Sequence, residues 1–386
     1  MPRGTAIPIT PEVLEWAIHE SGHEAGAVAA AAGVDRRTVN AWLAGQGKPN
    51  LTQFHHLAAF LKRPEAVFFL PRPPQGHPVE VELRSPPGVK RREPSPDERL
   101  HIREAARLQR GLAWVMEELG EDTDPLPKIA TARSPEEAAA TVRSELGIAV
   151  AEQLGWGSEF EAQRRWRTAL ERRGVSVLFL PMGEDAVRGF SLWHPRAPVI
   201  AVNTHFNPQA RSFTMLHEYA HLLTRTNSMC AQAPAKAWKE GDQIERWCEQ
   251  FAAAFLVPWA TAESLLAQKF SWKRGAQIDG LGPASHIAKK LHVSLRAAVL
   301  RLIDRNVAAW ALYQQIPPLA DQKSGGGAAA GGRRRPQIRV DEYGVRSTRA
   351  FLDAVRRDVI TRDDALRYLD VADTEVEELE ALTSAA

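Results

Sequence analysis

Cysteine is nearly absent from this chain: Cys230 and Cys248 are the only two in 386 residues. That excludes a disulfide-built scaffold. No run of about 18 apolar residues occurs, and the opening Met1-Pro2-Arg3-Gly4 has no apolar leader behind it. The expectation is a soluble, cytoplasmic protein without a membrane partner. Charge imbalance is also missing. A formal net charge of +2 gives no strong global pull toward nucleic acid or lipid. Four tyrosines stand against eleven tryptophans, a bias with no functional reading. What remains is an ordinary globular composition, 44% hydrophobic and 25% charged, in a chain long enough for several folding units.

The stretch that carries chemistry is Phe213-Thr214-Met215-Leu216-His217-Glu218-Tyr219-Ala220-His221-Leu222-Leu223. It places His-Glu-x-x-His inside an apolar, helix-compatible run. At roughly 100° per residue, positions 217 and 221 fall about 40° apart on one helix face. Two imidazoles can then converge on one metal ion, with Glu218 in reach of a water on that ion. The arrangement suits zinc-assisted peptide hydrolysis, with Glu218 as proton shuttle. The competing reading is a pair of satisfied core histidines. Against it, two His and one Glu beside the apolar stripe of Phe213, Leu216, Leu222 and Leu223 cost free energy unless they bind something.

Residues 1–70 read as a compact helical module. Helices are expected from Pro11 to near Gly22, from Glu24 to Ala32, from Arg36 to Ala44 with Asp35 as N-cap, and from Leu51 to Leu61. The segment Ala29 to Gly45, with Trp42-Leu43-x-Gly45 leading to Pro49, resembles the phage-repressor-like, Cro-type helix-turn-helix family. That resemblance implies Arg36, Arg37, Thr38 and Asn40 near base edges of double-stranded DNA and Lys48 near phosphate, commonly in a homodimer. Seven Lys/Arg against six Asp/Glu over Met1 to Arg72 is weak for a DNA binder, so docking to protein stays open.

Residues 71–98 are a Pro-rich linker carrying Lys90-Arg91-Arg92. A long amphipathic helix follows from Pro96 to Gly120. A helix opens at Ser134-Pro135-Glu136-Glu137, and another runs from Glu159 to Arg173. Strand-like runs cover 175–180, 189–193 and 197–203. A small sheet against a metal-bearing helix suggests that an extended substrate adds as a further strand. Zinc with two His needs a third protein ligand. Glu245, Cys248 and Glu249 lie in the helical run from Gln243 to Pro258. Glu245 and Glu249 share a face, so spacing leaves both open.

Ile200-x-Val202-Asn203, Arg211 to His221 and Glu245-x-x-Cys248-x-x-Phe251-Ala252-Ala253-x-x-Leu256-Val257-Pro258 resemble the ImmA/IrrE metallopeptidase family, over roughly residues 10–315 counting a helix-turn-helix ahead of the peptidase. The resemblance implies a zincin-like domain within 99–320 and cleavage of helix-turn-helix repressors that silence stress or mobile-element genes. It further implies His217, His221 and Glu245 as zinc ligands, with manganese as a substitute, and Glu218 as catalytic base. Position 249, commonly Asn in the family, is Glu here, which keeps Glu249 as an alternative or extra ligand. Cys248 reads as core, and Cys230 as a loop cysteine. Tyr219, His205 and Arg211 stay outside the catalytic set.

After Thr261 to Gln268, the pair Ser285–Leu291 and Leu295–Asp304 reads as helical support for the peptidase. Residues 321–335 form a Gly/Ala/Arg linker, and 336–386 a small helical region without a readable role. The expected fold class is mainly α with a small β-sheet (α+β). Two other functions compete with the peptidase: a DNA-binding regulator using the metallopeptidase fold as a sensor with little turnover, and an antitoxin-like partner protein.

Overall fold

A computed structural model describes residues 6–74, 83–84, 93–120, 126–225, 228–230, 243–317, 320–322 and 332–384; for 83–84 and 228–230 it gives the backbone alone. Two compact units result. The first holds the described residues up to 74 together with 93–104, and the second holds 83–84 and everything described from Ala105 onward. The basic cluster Lys90-Arg91-Arg92, most of the expected 321–335 linker and the side chain of Cys230 lie outside the described residues.

In the first unit, α1 (Pro11–Ser21), α2 (Ala25–Ala31), α3 (Arg36–Leu43) and α4 (Leu51–Phe60) fall where capping signals predict. Gly22 ends α1 in the left-handed region at φ 72°. The Asp35 carboxylate accepts from the Thr38 backbone N–H at 2.8 Å, and Asn50 and Gln53 close a reciprocal capping box. Val13, Leu14, Val28, Val39, Trp42, Phe54 and Leu57 make the core. A 3₁₀ turn over Glu65–Phe69, not expected from sequence, adds Phe68 to it.

α5 (Pro96–Glu118) contains the boundary between the units. The second unit continues with α6 (Pro135–Glu145), α7 (Val150–Gly155) and α8 (Glu159–Arg172). Its sheet has the order β1 (Leu83–Arg84), β5 (Ser228–Cys230), β3 (Gly189–Leu192), β4 (Val199–Asn203), β2 (Ser176–Leu180). The three expected strands are its centre and one edge. β2 runs parallel to β4, and β3 antiparallel, with Ser176 opposite Val199 and Gly189 opposite Val202. The fold class is therefore the expected one, mainly helical with a small mixed sheet. β3 is an interior strand, paired on both sides by β4 and β5, and the sheet ends at β1 and β2.

α9 (Pro208–Thr224) packs along β3, β4 and α8, and α10 (Gln243–Leu256) packs against α9 and α6. α11 (Trp259–Phe270), α12 (Leu281–Leu291), α13 (Leu295–Asp304) and α14 (Trp310–Gln314) complete the helical support. The carbonyls that end α10 are satisfied by side chains. Arg143 donates to Phe255 O at 2.7 Å, Gln153 to Leu256 O at 3.1 Å, and Arg301 to Val257 O at 2.9 Å. These three contacts fix the far end of α10 against α6, α7 and α13.

The C-terminal region differs most from expectation. Where the sequence predicts a helix over Arg349–Arg356, α15 (Arg335–Arg356) starts well earlier, with Pro336 in its first turn. It packs on β2 and α8, and α16 (Arg362–Leu369) and α17 (Val376–Ser384) pack on it. Gly344 breaks α15 at φ 84°, ψ 160°, a conformation that L-residues rarely adopt. A Cβ there would lie 2.1 Å from Glu171 Oε1 and 3.0 Å from Arg167 Nη2. Glu171 has little room to give. It is buried, and Arg167 Nε holds it at 3.0 Å. Gly344→Ala is expected to destabilise this unit by about 2–3 kcal/mol, read as a lower urea midpoint. An unchanged midpoint would mean that the break is not required.

Candidate metal centre

The metal-bearing helix is built by local signals. Asn207 caps α9 by accepting from the Ala210 N–H at 2.9 Å, and Pro208 occupies its first turn. Asp321 fastens this end. Its carbonyl accepts from Asn207 N at 2.9 Å, and its carboxylate accepts from Arg188 and forms an ion pair with Arg296, both at 2.8 Å. Arg211 Nε donates to Phe206 O at 2.7 Å. The other end closes at Arg225, in the left-handed region at φ 62°, with its guanidinium 3.6 Å from the Trp193 ring centre.

On α9 the two imidazoles meet: His217 Nε2 and His221 Nε2 are 3.1 Å apart. Glu245, from α10, reaches both, with Oε2 at 3.3 Å from His217 Nε2 and Oε1 at 3.1 Å from His221 Nε2. Four ligands at zinc-like bond lengths of about 2.05 Å around a tetrahedron sit about 3.3 Å from one another. The imidazole separation of 3.1 Å is close to that spacing, and each carboxylate oxygen of Glu245 lies at a similar distance from one imidazole. His217, His221 and Glu245 are the group able to hold a metal among the described residues, and all three are buried. Two neutral nitrogen donors and one carboxylate are a donor set that zinc accepts readily.

The electrostatics of the metal-free centre are those of a held proton. Burial alone would lower the His217 imidazole. The hydrogen bond and charge of Glu245 override it, and His217 is pushed up to about 9. Burial raises Glu245, but the two imidazoles hold it well below the usual carboxylate range. Glu249 is half-buried one turn along α10 and is not part of the cluster. Burial, helped by Glu245 and Asp304 and opposed by His217, raises its carboxyl to about 7. Geometry thus separates two residues that helix spacing could not.

Glu218 is fully buried on the turn between the two histidines. Sequence reasoning missed Gly189, where β3 comes closest to α9 and β4. A Cβ on Gly189 would lie 2.6 Å from both Ala201 O and Thr214 Cγ2, and 3.6 Å from Glu218 Cγ. The isolated glycine in a strand-like run was the available signal for such a close approach. Asn203, fully buried, shapes the loop before Gly189 by donating to Gly183 O at 2.7 Å and Val187 O at 3.0 Å. Cys248 is buried as a core residue, as its helical position predicts. Tyr219 is likewise buried, and burial raises its phenol.

In the first unit, Arg36, Arg37, Asn40 and Lys48 are exposed, while Thr38 is half-buried with its hydroxyl 2.6 Å from Asp35 Oδ1. The hydroxyl proton is committed to the cap, which leaves Thr38 only lone pairs for a base. His19 and His23 lie in the same unit but join no metal-type cluster among the described residues.

A buried His-Glu-x-x-His helix, a carboxylate from the next helix and a small sheet alongside are an arrangement that metallopeptidase sites use. Comparison with known proteins agrees. Residues 170–302 match the family described as Peptidase_M78, IrrE N-terminal-like domain. The radiation response metalloprotease IrrE of Deinococcus deserti is 27% identical over 141 residues, which is 34% of this chain and 44% of that protein. The chain thus spans less than half the length of the curated relative it matches.

Proposed function

We propose that the protein is a zinc-dependent endopeptidase that cleaves a helix-turn-helix transcriptional repressor, relieving repression of stress-response or mobile-element genes. The observation that carries the reading is the convergence of His217, His221 and Glu245 beside a buried Glu218. His217 Nε2, His221 Nε2 and a Glu245 carboxylate oxygen would hold zinc, with manganese an alternative occupant. When bound, the ion supplies Lewis-acid polarisation of the scissile carbonyl and of the attacking water. Glu218 then takes the proton of that water on its carboxylate and returns it to the leaving amine. The burial of this turn keeps other water away and strengthens each charge–dipole contact. The Deinococcus relative, a radiation response metalloprotease, supports the same class of chemistry.

The N-terminal module, in this reading, recruits the enzyme to DNA or to the repressor. The exposed Arg36, Arg37 and Asn40 support a major-groove contact and Lys48 a phosphate contact, with Thr38 the weakest of the five. In this reading the protein works in the cytoplasm; no helix among the described residues is long and apolar enough to cross a membrane. The test is incubation of the zinc-loaded full chain with purified helix-turn-helix repressors of its host, with fragment masses read by mass spectrometry. One discrete cut in one repressor is the expected result. A zinc-loaded protein that cuts none of them sinks the repressor reading.

A further inference from the structure

The second unit contains a cavity of about 260 Å³ remote in sequence from the metal helix, where α5, α8 and the second half of α15 meet. Three of its walls are arginines: Arg172 from α8, and Arg346 and Arg349 from α15. Two acids share the lining, Glu171 and Asp353. Each already has an arginine of its own. Glu171 is held by Arg167 Nε at 3.0 Å, and Asp353 pairs with Arg356. The cavity therefore keeps a positive excess.

The chain is shaped to produce this convergence. The break at Gly344 starts a new helical segment, and Glu171 Oε2 accepts from the Arg346 backbone N–H at 3.4 Å at its first turn. A carboxylate at a helix N-terminus is favourable. From there, positions 346, 349 and 353 follow one helix face toward α8. Arg346 Nη2 lies 3.6 Å from Met116 Sδ of α5, and Arg349 donates to Thr383 O of α17. Those contacts tether the two guanidinium groups at the cavity, while Arg172 reaches it from exposed ground.

We propose that this cavity binds a small dianion, with phosphate-ester or dicarboxylate chemistry. Guanidinium forks match the oxygens of either group. The volume is below that of drug-sized pockets, which favours a ligand of a few heavy atoms over a nucleotide. The site joins α15 to α8, and α8 packs directly along the metal-bearing α9. An anion there ties the C-terminal helices to the support of the metal centre. The proposal does not depend on peptidase activity.

Isothermal titration of the full chain with inorganic phosphate, and separately with malonate, at constant ionic strength, tests it. Saturable binding of at least one of them is expected. Arg172→Gln should weaken it by roughly fivefold or more, with metal content and anion-free melting unchanged because Arg172 is exposed. Arg172→Lys should recover part of the loss, and Arg349→Gln should reproduce it. Binding of phosphate alone assigns ester chemistry, and of malonate alone dicarboxylate chemistry. No binding of either, or equal affinity in wild type, Arg172→Gln and Arg349→Gln, overturns the site.

Discussion

Glu218→Gln is expected to keep its metal and its stability while losing peptide hydrolysis by about 10²–10⁴-fold in kcat. The substitution is nearly isosteric at a fully buried position whose neighbours include the close approach of Gly189. An amide fills the same space and still hydrogen-bonds, but it cannot accept the proton of an attacking water at neutral pH. A carboxylate that merely packed would be replaced at little cost to turnover. The measurements are metal content by elemental mass spectrometry, melting temperature, and initial rates on the cleaved repressor. Activity within tenfold of wild type, with metal present, removes Glu218 from the role of base. An intact DNA-regulated output in the Gln variant would instead favour the regulator that uses this fold as a sensor.

The legible part of this protein is what local spacing determines. The i, i+4 histidines and the glutamate between them are set by helix geometry alone, and the cap at Asp35 by its place before an amphipathic run. The carboxylate that completes the candidate cluster is only half legible. Glu245 and Glu249 are one turn apart on α10, and which of them reaches the histidines depends on how α10 crosses α9. That crossing is fixed by distant groups, among them Arg143, Gln153 and Arg301 at the other end of the helix. β1 and β5 escaped notice because two or three residues carry no alternation to read. The start of α15 escaped for a different reason. Its residues are arginine-rich and interrupted by Gly344, and they are held by docking rather than by propensity. Arg167 shows the mechanism: its guanidinium donates to Asp341 O at 2.7 Å while lying 4.4 Å from the Phe179 ring centre.

Glu245→Ala should lose the metal, and Glu249→Ala should keep it. Removing one of three protein donors from a buried centre leaves two imidazoles and an uncompensated positive charge. Metal affinity is expected to fall by more than about a hundredfold, beyond what loss of an outer-shell partner costs. Glu249 stands outside the cluster, and its carboxyl, raised to about 7, is partly neutral near physiological pH. The same variants carry a pH signature. In the metal-free protein His217 titrates at about 9, above its ordinary 6.5, because Glu245 holds its proton. A raised value means that this pair stabilises the metal-free fold fully below about pH 6.5, and that the contribution is lost as pH rises through about 9. Metal runs the other way: each ion must displace that proton, so apparent affinity should rise about tenfold per pH unit across this window. Competition titrations with a chelator between pH 6.5 and 9, alongside elemental analysis, read both effects. Metal retained in Glu245→Ala, or a flat pH profile in wild type, would remove Glu245 as the third ligand and as the group that holds the proton on His217.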